Sequence, residues 1–110
     1  KGIFRYGSAT VPMDDALAQA AMDLSGRAAV VYNVRFCGGK IGTFDTQLIE
    51  EFLRRFATEA GTNLHVNVPY GSNDHHIAEA IFKAVAQALR AAKTQDPQRG
   101  GEVPSTKGSL

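Results

Sequence analysis

Asp14-Asp15-Ala16-Leu17-Ala18-Gln19-Ala20-Ala21-Met22-Asp23-Leu24 supports two structures, and the choice between them decides the fold. Its alanines and the leading acids Asp14 and Asp15 favour a helix by propensity, with Ser25-Gly26 as the stop. A strand in a hairpin also fits, because Ser25-Gly26-Arg27 makes a turn before the β-rich run Ala28-Ala29-Val30-Val31-Tyr32-Asn33-Val34-Arg35-Phe36. Pattern alone slightly prefers the helix. Upstream, Arg5 to Val11 reads as a weak strand closed by Pro12, which has no N–H for a ladder. Downstream, Gly38, Gly39 and Gly42 mark a loop.

The rest of the chain is less ambiguous. From Asp45 onward Leu48, Ile49, Phe52, Leu53 and Phe56 fall on one helical stripe, while Glu50, Glu51, Arg54 and Arg55 take the other side. Asp45 or Thr46 can cap the start of this helix, and Gly61 can supply the left-handed residue that ends it. Leu64, Val66 and Val68 then alternate with His65 and Asn67, the period of a strand buried on one face, so His65 points away from the Leu64 side. After the turn Pro69-Tyr70-Gly71, Asn73 or Asp74 caps a second helix whose stripe is Ile77, Ile81, Val85, Ala88 and Leu89, running to about Thr94. Residues 1–94 thus form one domain. Residues 95–110, interrupted by Pro97, Gly100, Gly101, Pro104 and Gly108, read as a loop or extended arm.

Composition narrows the function. A chain of 110 residues with 44% hydrophobic content makes one modest core. Twelve basic against eleven acidic residues leave a formal net charge of +1, without the whole-chain positive field that marks a nucleic-acid binder. No apolar run is long enough to span a membrane, and the lone Cys37 has no partner for an internal disulfide, so a reducing compartment is expected: cytoplasm or an organelle stroma. The opening Lys1-Gly2-Ile3 lacks a methionine, which points to further sequence upstream or on another segment.

All three histidines lie between positions 65 and 76. His75 and His76 fall in the first turn of the second helix; Glu79 follows them at i+4 and i+3, and Lys83 sits one turn on. Neutral imidazole and carboxylate are ligands for a borderline divalent ion such as Mn, Fe, Co or Zn, and the absence of nearby cysteines argues against a thiolate-rich zinc. Consecutive helical residues point roughly 100° apart, so His75 and His76 are poorly placed to hold one ion together. Two ions, each completed by donors from elsewhere, would use both. The plainer alternative makes the pair solvated residues at a helix start and His65 an ordinary strand residue.

Weaker signals lie at the ends. Pro104-Ser105-Thr106-Lys107-Gly108 offers a hydroxyl and an ammonium to an anion such as phosphate, although it lacks P-loop spacing and also reads as a solvated tail. Arg5 and Arg27 are further phosphate candidates through bidentate guanidinium contacts, against the plain reading of exposed arginines. Asp14 can accept from a substrate hydroxyl or simply serve a cap or turn. Cys37 has no evident base and is assigned no chemistry.

Gly2-Ile3-Phe4-Arg5-Tyr6-Gly7, Pro12-Met13-Asp14-Asp15-Ala16-Leu17, Asp23-Leu24-Ser25-Gly26-Arg27, Phe44-Asp45-Thr46, Leu64-His65-Val66, Asn73 to Ala84 and Pro104 to Gly108, in this order and spacing, resemble imidazoleglycerol-phosphate dehydratase, a hydro-lyase of histidine biosynthesis. The resemblance runs from end to end but covers only the second half of that family's duplicated domain. It implies an α+β fold, a two-layer β-β-β-α-β-α unit like domain 2 of ribosomal protein S5, and so makes Asp14 to Leu24 a strand. It further implies manganese, two ions per active site, held between subunits of a large homo-oligomer. By motif, His65, His75, His76 and Glu79 match its metal ligands. Arg5, Arg27, Ser105 and Lys107 match phosphate-binding positions, and Asp14 and Lys83 match residues near the substrate. Glu79, His76 and Lys83 are the implied catalytic groups.

The implied reaction is dehydration of imidazole glycerol phosphate to imidazole acetol phosphate, in the cytoplasm or, in a plant, the plastid stroma. The chain departs from the family in lacking a second His-His-x-x-Glu helix. The implied partner is therefore the N-terminal half of the enzyme, or copies of the chain itself. A non-catalytic metal-binding or assembly half-module is the alternative. RNA binding, which the S5-like fold would allow, is disfavoured by the near-neutral charge.

Overall fold

The disputed segment is extended. In the computed structural model, which describes residues 2–97, the chain forms β1 (Tyr6–Met13), β2 (Ala16–Asp23), β3 (Ala29–Asn33), β4 (Lys40–Ile41), β5 (Phe44–Asp45), α1 (Gln47–Ala60), β6 (Asn63–Tyr70) and α2 (Asp74–Ala92). One four-stranded sheet has the order β1-β2-β6-β3; β1–β2 and β2–β6 are antiparallel, and β3–β6 is parallel. Both helices pack on one face, giving the α+β two-layer unit implied by the family resemblance.

Helix propensity loses at residues 16–23 because a period of two serves the core better. Ala16, Ala18, Ala20 and Met22 are buried in alternation, and every residue of β2 pairs with β1, from Met13↔Ala16 to Tyr6↔Asp23. The small side chains matter as well as the alternation. Ala80, Ala84, Ala88 and Ala92 of α2 are buried beside them, so the helix lies close against the sheet. At Gly7 that approach reaches its limit: an added Cβ would overlap the Ala88 carbonyl oxygen and stand 2.6 Å from the Ala92 backbone nitrogen.

Several boundaries shift from the sequence expectation for physical reasons. Strand β1 runs through Pro12 to Met13, because β1 is an edge strand and one of its backbone sides needs no ladder donor. Strand β3 ends at Asn33, short of the expected Phe36. The glycine loop contains a small hairpin, β4–β5, turned by Gly42 in the left-handed region. Helix α2 stops at Ala92 rather than Thr94.

Helix α1 ends as its sequence dictates: Gly61 adopts φ 65°, ψ 41° and donates its N–H to Ala57. Its apolar stripe is wider than its core face. Ile49, Leu53 and Ala57 are buried, whereas Leu48 and Phe52 remain exposed together with Phe44 and Phe82. The Phe52 and Phe82 rings meet at 5.9 Å, linking α1 and α2 through this patch. On the sheet face away from the helices, Gln19, Asn67 and Asn33 form a side-chain ladder with contacts of 2.8 and 2.5 Å.

Candidate metal centre

The start of α2 is fixed from two sides. Asn73 caps it, its side chain accepting from the His76 N–H at 3.1 Å. Asp74 accepts the Cys37 and Gly38 N–H groups at 2.8 Å each, which ties the loop after β3 to the helix start. Cys37 itself donates its thiol to the Ser72 carbonyl at 3.3 Å. From the other side comes the β1–β2 hairpin loop, Asp14-Asp15. Asp14 sits at φ 50°, a left-handed conformation that a short acidic residue tolerates. Between β6 and α2 the chain passes close to the core at Gly71, where a Cβ would stand 2.8 Å from Ile77 Cγ1 and 3.0 Å from Ala16 Cβ.

These constraints bring Asp15 to His76. Asp15 Oδ1 lies 2.6 Å from His76 Nδ1, while Asp15 Oδ2 accepts from the backbone N–H groups of Ser72 (2.6 Å) and Asn73 (2.9 Å). With Nδ1–H donating to the carboxylate, His76 Nε2 is left as the free ring nitrogen, 3.4 Å from Asp14 Oδ2. A carboxylate behind one ring nitrogen is the usual support of a metal-binding histidine. One turn along, Lys83 Nζ lies 3.0 Å from Glu79 Oε2, and His75 Nε2 lies 3.6 Å from Glu79 Oε1.

The charges follow from these contacts. The hydrogen bond from His76 holds the Asp15 carboxyl well below the usual carboxylate range, aided by the Ser72 and Asn73 N–H groups. The same bond raises His76, with smaller contributions from the charges of Asp15, Asp14 and Glu79, against the cost of burial. The Lys83 hydrogen bond lowers Glu79, which is therefore an ionised acceptor at neutral pH.

A pH dependence follows. The depressed Asp15 stabilises the fold above its unfolded pKa, and that contribution is lost as pH falls through its folded value. The raised His76 contributes below its unfolded pKa, and is lost as pH rises through its folded value. The stability difference between wild type and Asp15→Ala in urea melts should therefore be largest from about pH 4 to 6.5 and shrink on both sides. A difference that grows steadily into alkaline pH would contradict the pairing.

The structure gathers some expected site residues and separates others. His75, His76, Glu79, Lys83 and Asp14 lie together around the first turns of α2. Their two histidine rings stand 6.3 Å apart with planes at 70°, so they do not share one direction. His65 is elsewhere: it is exposed on β6, beside Ala21 and Val31, on the face the helices leave open. Arg5 lies at the other end of β1 from Asp14. Asp23 engages its guanidinium in two contacts, 2.6 and 3.2 Å, a bond that raises its pKa further. Arg27 occupies the exposed Ser25-Gly26-Arg27 turn at that same far end. Ser105 and Lys107, and the arm beyond residue 97, lie outside the described residues.

Among the described residues no three His, Cys, Asp or Glu side chains are arranged to hold a metal ion within this one chain. The donor types and the Asp15 support suit a divalent ion, but they supply part of a coordination shell. The residue that sequence reasoning missed is Asp15. The hairpin expected from the sequence turned at Ser25-Gly26-Arg27, but β3 pairs with β6 and not with β2, and the hairpin that forms turns at Asp14-Asp15, so no sequence signal set Asp15 beside the α2 start.

Comparison with known proteins agrees in one direction. The family model for imidazoleglycerol-phosphate dehydratase matches residues 1–89. Imidazoleglycerol-phosphate dehydratases of Brucella suis and Granulibacter bethesdensis are 57% and 58% identical over all 110 residues, which cover 54% and 56% of those proteins. Among solved structures, the dehydratase of Staphylococcus aureus superposes with a TM-score of 0.84 at 43% identity, over 86% of this chain and 56% of that one. The Pyrococcus furiosus enzyme, solved in complex with (S)-C348, gives 0.86 at 34% identity, over 100% and 60%. The chain spans about half the length of the relatives it matches, and it belongs to the imidazoleglycerol-phosphate dehydratase family.

Proposed function

We propose that this chain contributes half of a manganese-dependent active site that dehydrates imidazole glycerol phosphate in histidine biosynthesis. The observation that carries the proposal is the His76–Asp15 pair beside the Glu79–Lys83 pair at one helix start, one supplying a supported imidazole nitrogen and the other an ionised carboxylate. His75, His76 and Glu79 would hold metal from this end of the unit, and His65 from the open sheet face. These surfaces look in different directions, so each ion would be shared with another segment or another copy of the chain. The same separation applies to Arg5 and Arg27, which with Ser105 and Lys107 are the proposed phosphate contacts.

The exposed patch of Phe44, Leu48, Phe52 and Phe82 supports such a partner, whether the N-terminal half or copies within a large homo-oligomer. No nucleic-acid partner is proposed, and no helix of the described residues is long and apolar enough to cross a membrane. The proposed location is the cytoplasm, or a plastid stroma in a plant. The second reading, a non-catalytic metal-binding or assembly half-module, draws its support from the incomplete donor set within this chain.

In chemical terms, dehydration removes a hydrogen from a weakly acidic carbon and expels a hydroxyl, with the substrate imidazole as the electron sink. Bound manganese would supply Lewis acidity to that ring. Glu79, whose carboxylate Lys83 holds at 3.0 Å, is the proposed acceptor of the carbon's proton. Lys83 holds the carboxylate in place and keeps it charged. Asp14, exposed near His76, can accept a hydrogen bond from a substrate hydroxyl.

The test is a dehydratase assay with metal analysis on the native protein and two variants. His76→Ala should lose bound manganese and at least about a thousandfold in turnover. Lys107→Ala should keep its metal and weaken phosphate-dependent binding about ten- to a hundredfold, the worth of one charge-assisted hydrogen bond. Full turnover by His76→Ala would overturn the proposal.

A further inference from the structure

Asp15 belongs to none of the motifs that mark the metal cluster, yet its carboxylate meets three residues at once, Ser72 and Asn73 before α2 and His76 within it. Oδ2 takes the backbone N–H of Ser72 at 2.6 Å and of Asn73 at 2.9 Å, with the Ser72 hydroxyl at 3.1 Å. Backbone N–H groups can only donate, so this oxygen is committed as an acceptor. Oδ1 faces His76 Nδ1 at 2.6 Å. An ionised carboxylate has no hydrogen to give, so a contact this short requires the proton to sit on Nδ1. The neutral ring then carries its lone pair on Nε2.

We propose that Asp15 is a positioning residue that fixes His76 in the Nδ1–H tautomer and presents Nε2 as the one ring nitrogen with a free lone pair for a metal ion. The inference rests on the reading of His76 as a metal ligand and adds what makes it one. The platform is rigid for stated reasons. Asp15 sits in a two-residue loop closed by the Met13↔Ala16 pair, and the His76 backbone is held by the Asn73 cap. The two residues are 61 positions apart, so the tautomer depends on the folded hairpin and not on local sequence.

Asp15→Asn reverses the logic while barely changing shape. The amide oxygen must stay on the Ser72 and Asn73 N–H groups, because an NH2 there would face two donors. The NH2 then points at His76 Nδ1, which must become an acceptor, and the ring proton moves to Nε2. That blocks the atom the metal would use.

The experiment is 15N NMR of the histidine ring nitrogens in the metal-free chain at a pH of about 9.5, where imidazole is neutral. Manganese titration of the native protein runs alongside. Wild-type His76 should be protonated on Nδ1, and Asp15→Asn should move the proton to Nε2 and weaken manganese binding about 10- to 100-fold. A wild-type His76 protonated on Nε2 overturns the inference by itself, even if the variant does not fold. So does an unchanged tautomer in Asp15→Asn, or an inverted one with full manganese affinity. Full manganese affinity in His76→Ala would instead overturn the metal reading and leave the tautomer result standing.

Discussion

Gly7→Ala should be the most destabilising single-methyl change in the described chain, lowering stability by about 3 kcal/mol or more. The added carbon would meet the Ala88 carbonyl oxygen and stand 2.6 and 2.9 Å from the Ala92 nitrogen and Cβ. All are backbone atoms or the first atom of a side chain, so no rotamer change relieves the overlap. The helix itself must move off the sheet. Overpacking costs typically about 1–3 kcal/mol where side chains can yield, and here they cannot. For a domain of this size that corresponds to a melting temperature lower by about 12 °C or more. Gly39→Ala, where no atom lies within 4 Å, is the control and should change stability by less than about 0.5 kcal/mol. Equal melting temperatures for the two variants would show that α2 does not pack on β1 this closely.

Glu79→Gln should lower kcat in the native protein by about 100- to 10,000-fold, the range of a lost general base. The amide keeps an oxygen that can ligate, but it cannot accept a proton and no longer attracts Lys83, now 3.0 Å away. Metal content should therefore fall much less than kcat. A variant within tenfold of wild-type kcat would remove Glu79 from proton transfer. Loss of metal in proportion to activity would reduce it to a ligand.

The elements legible in the sequence were those with a single dominant period. Helix α2, strand β6 and the body of α1 each had one, and their caps at Asn73 and Gly61 fell where the residue types put them. Strand β2 was not legible from propensity because alanine suits a helix. What selects the strand is the close approach of α2, a contact made with residues about 70 positions away. The α1 stripe was legible, but not that Leu48 and Phe52 on it stay exposed, because periodicity reports an apolar face and not what covers it.

The site divides in the same way. His75, His76, Glu79 and Lys83 were legible because helical spacing alone gathers them. His65 was legible as pointing away from the Leu64 side, and the structure keeps it there, apart from the other ligand candidates. Asp15 stayed hidden because its partners, Ser72, Asn73 and His76, come to it only when the hairpin folds against the α2 start.

The central claim is that the α2 start serves a metal-dependent dehydratase. The most direct measurement is turnover of imidazole glycerol phosphate by the native protein after chelation and again after manganese is restored. Turnover should fall to background on stripping and return in proportion to bound manganese. Undiminished turnover in metal-free protein would contradict the account.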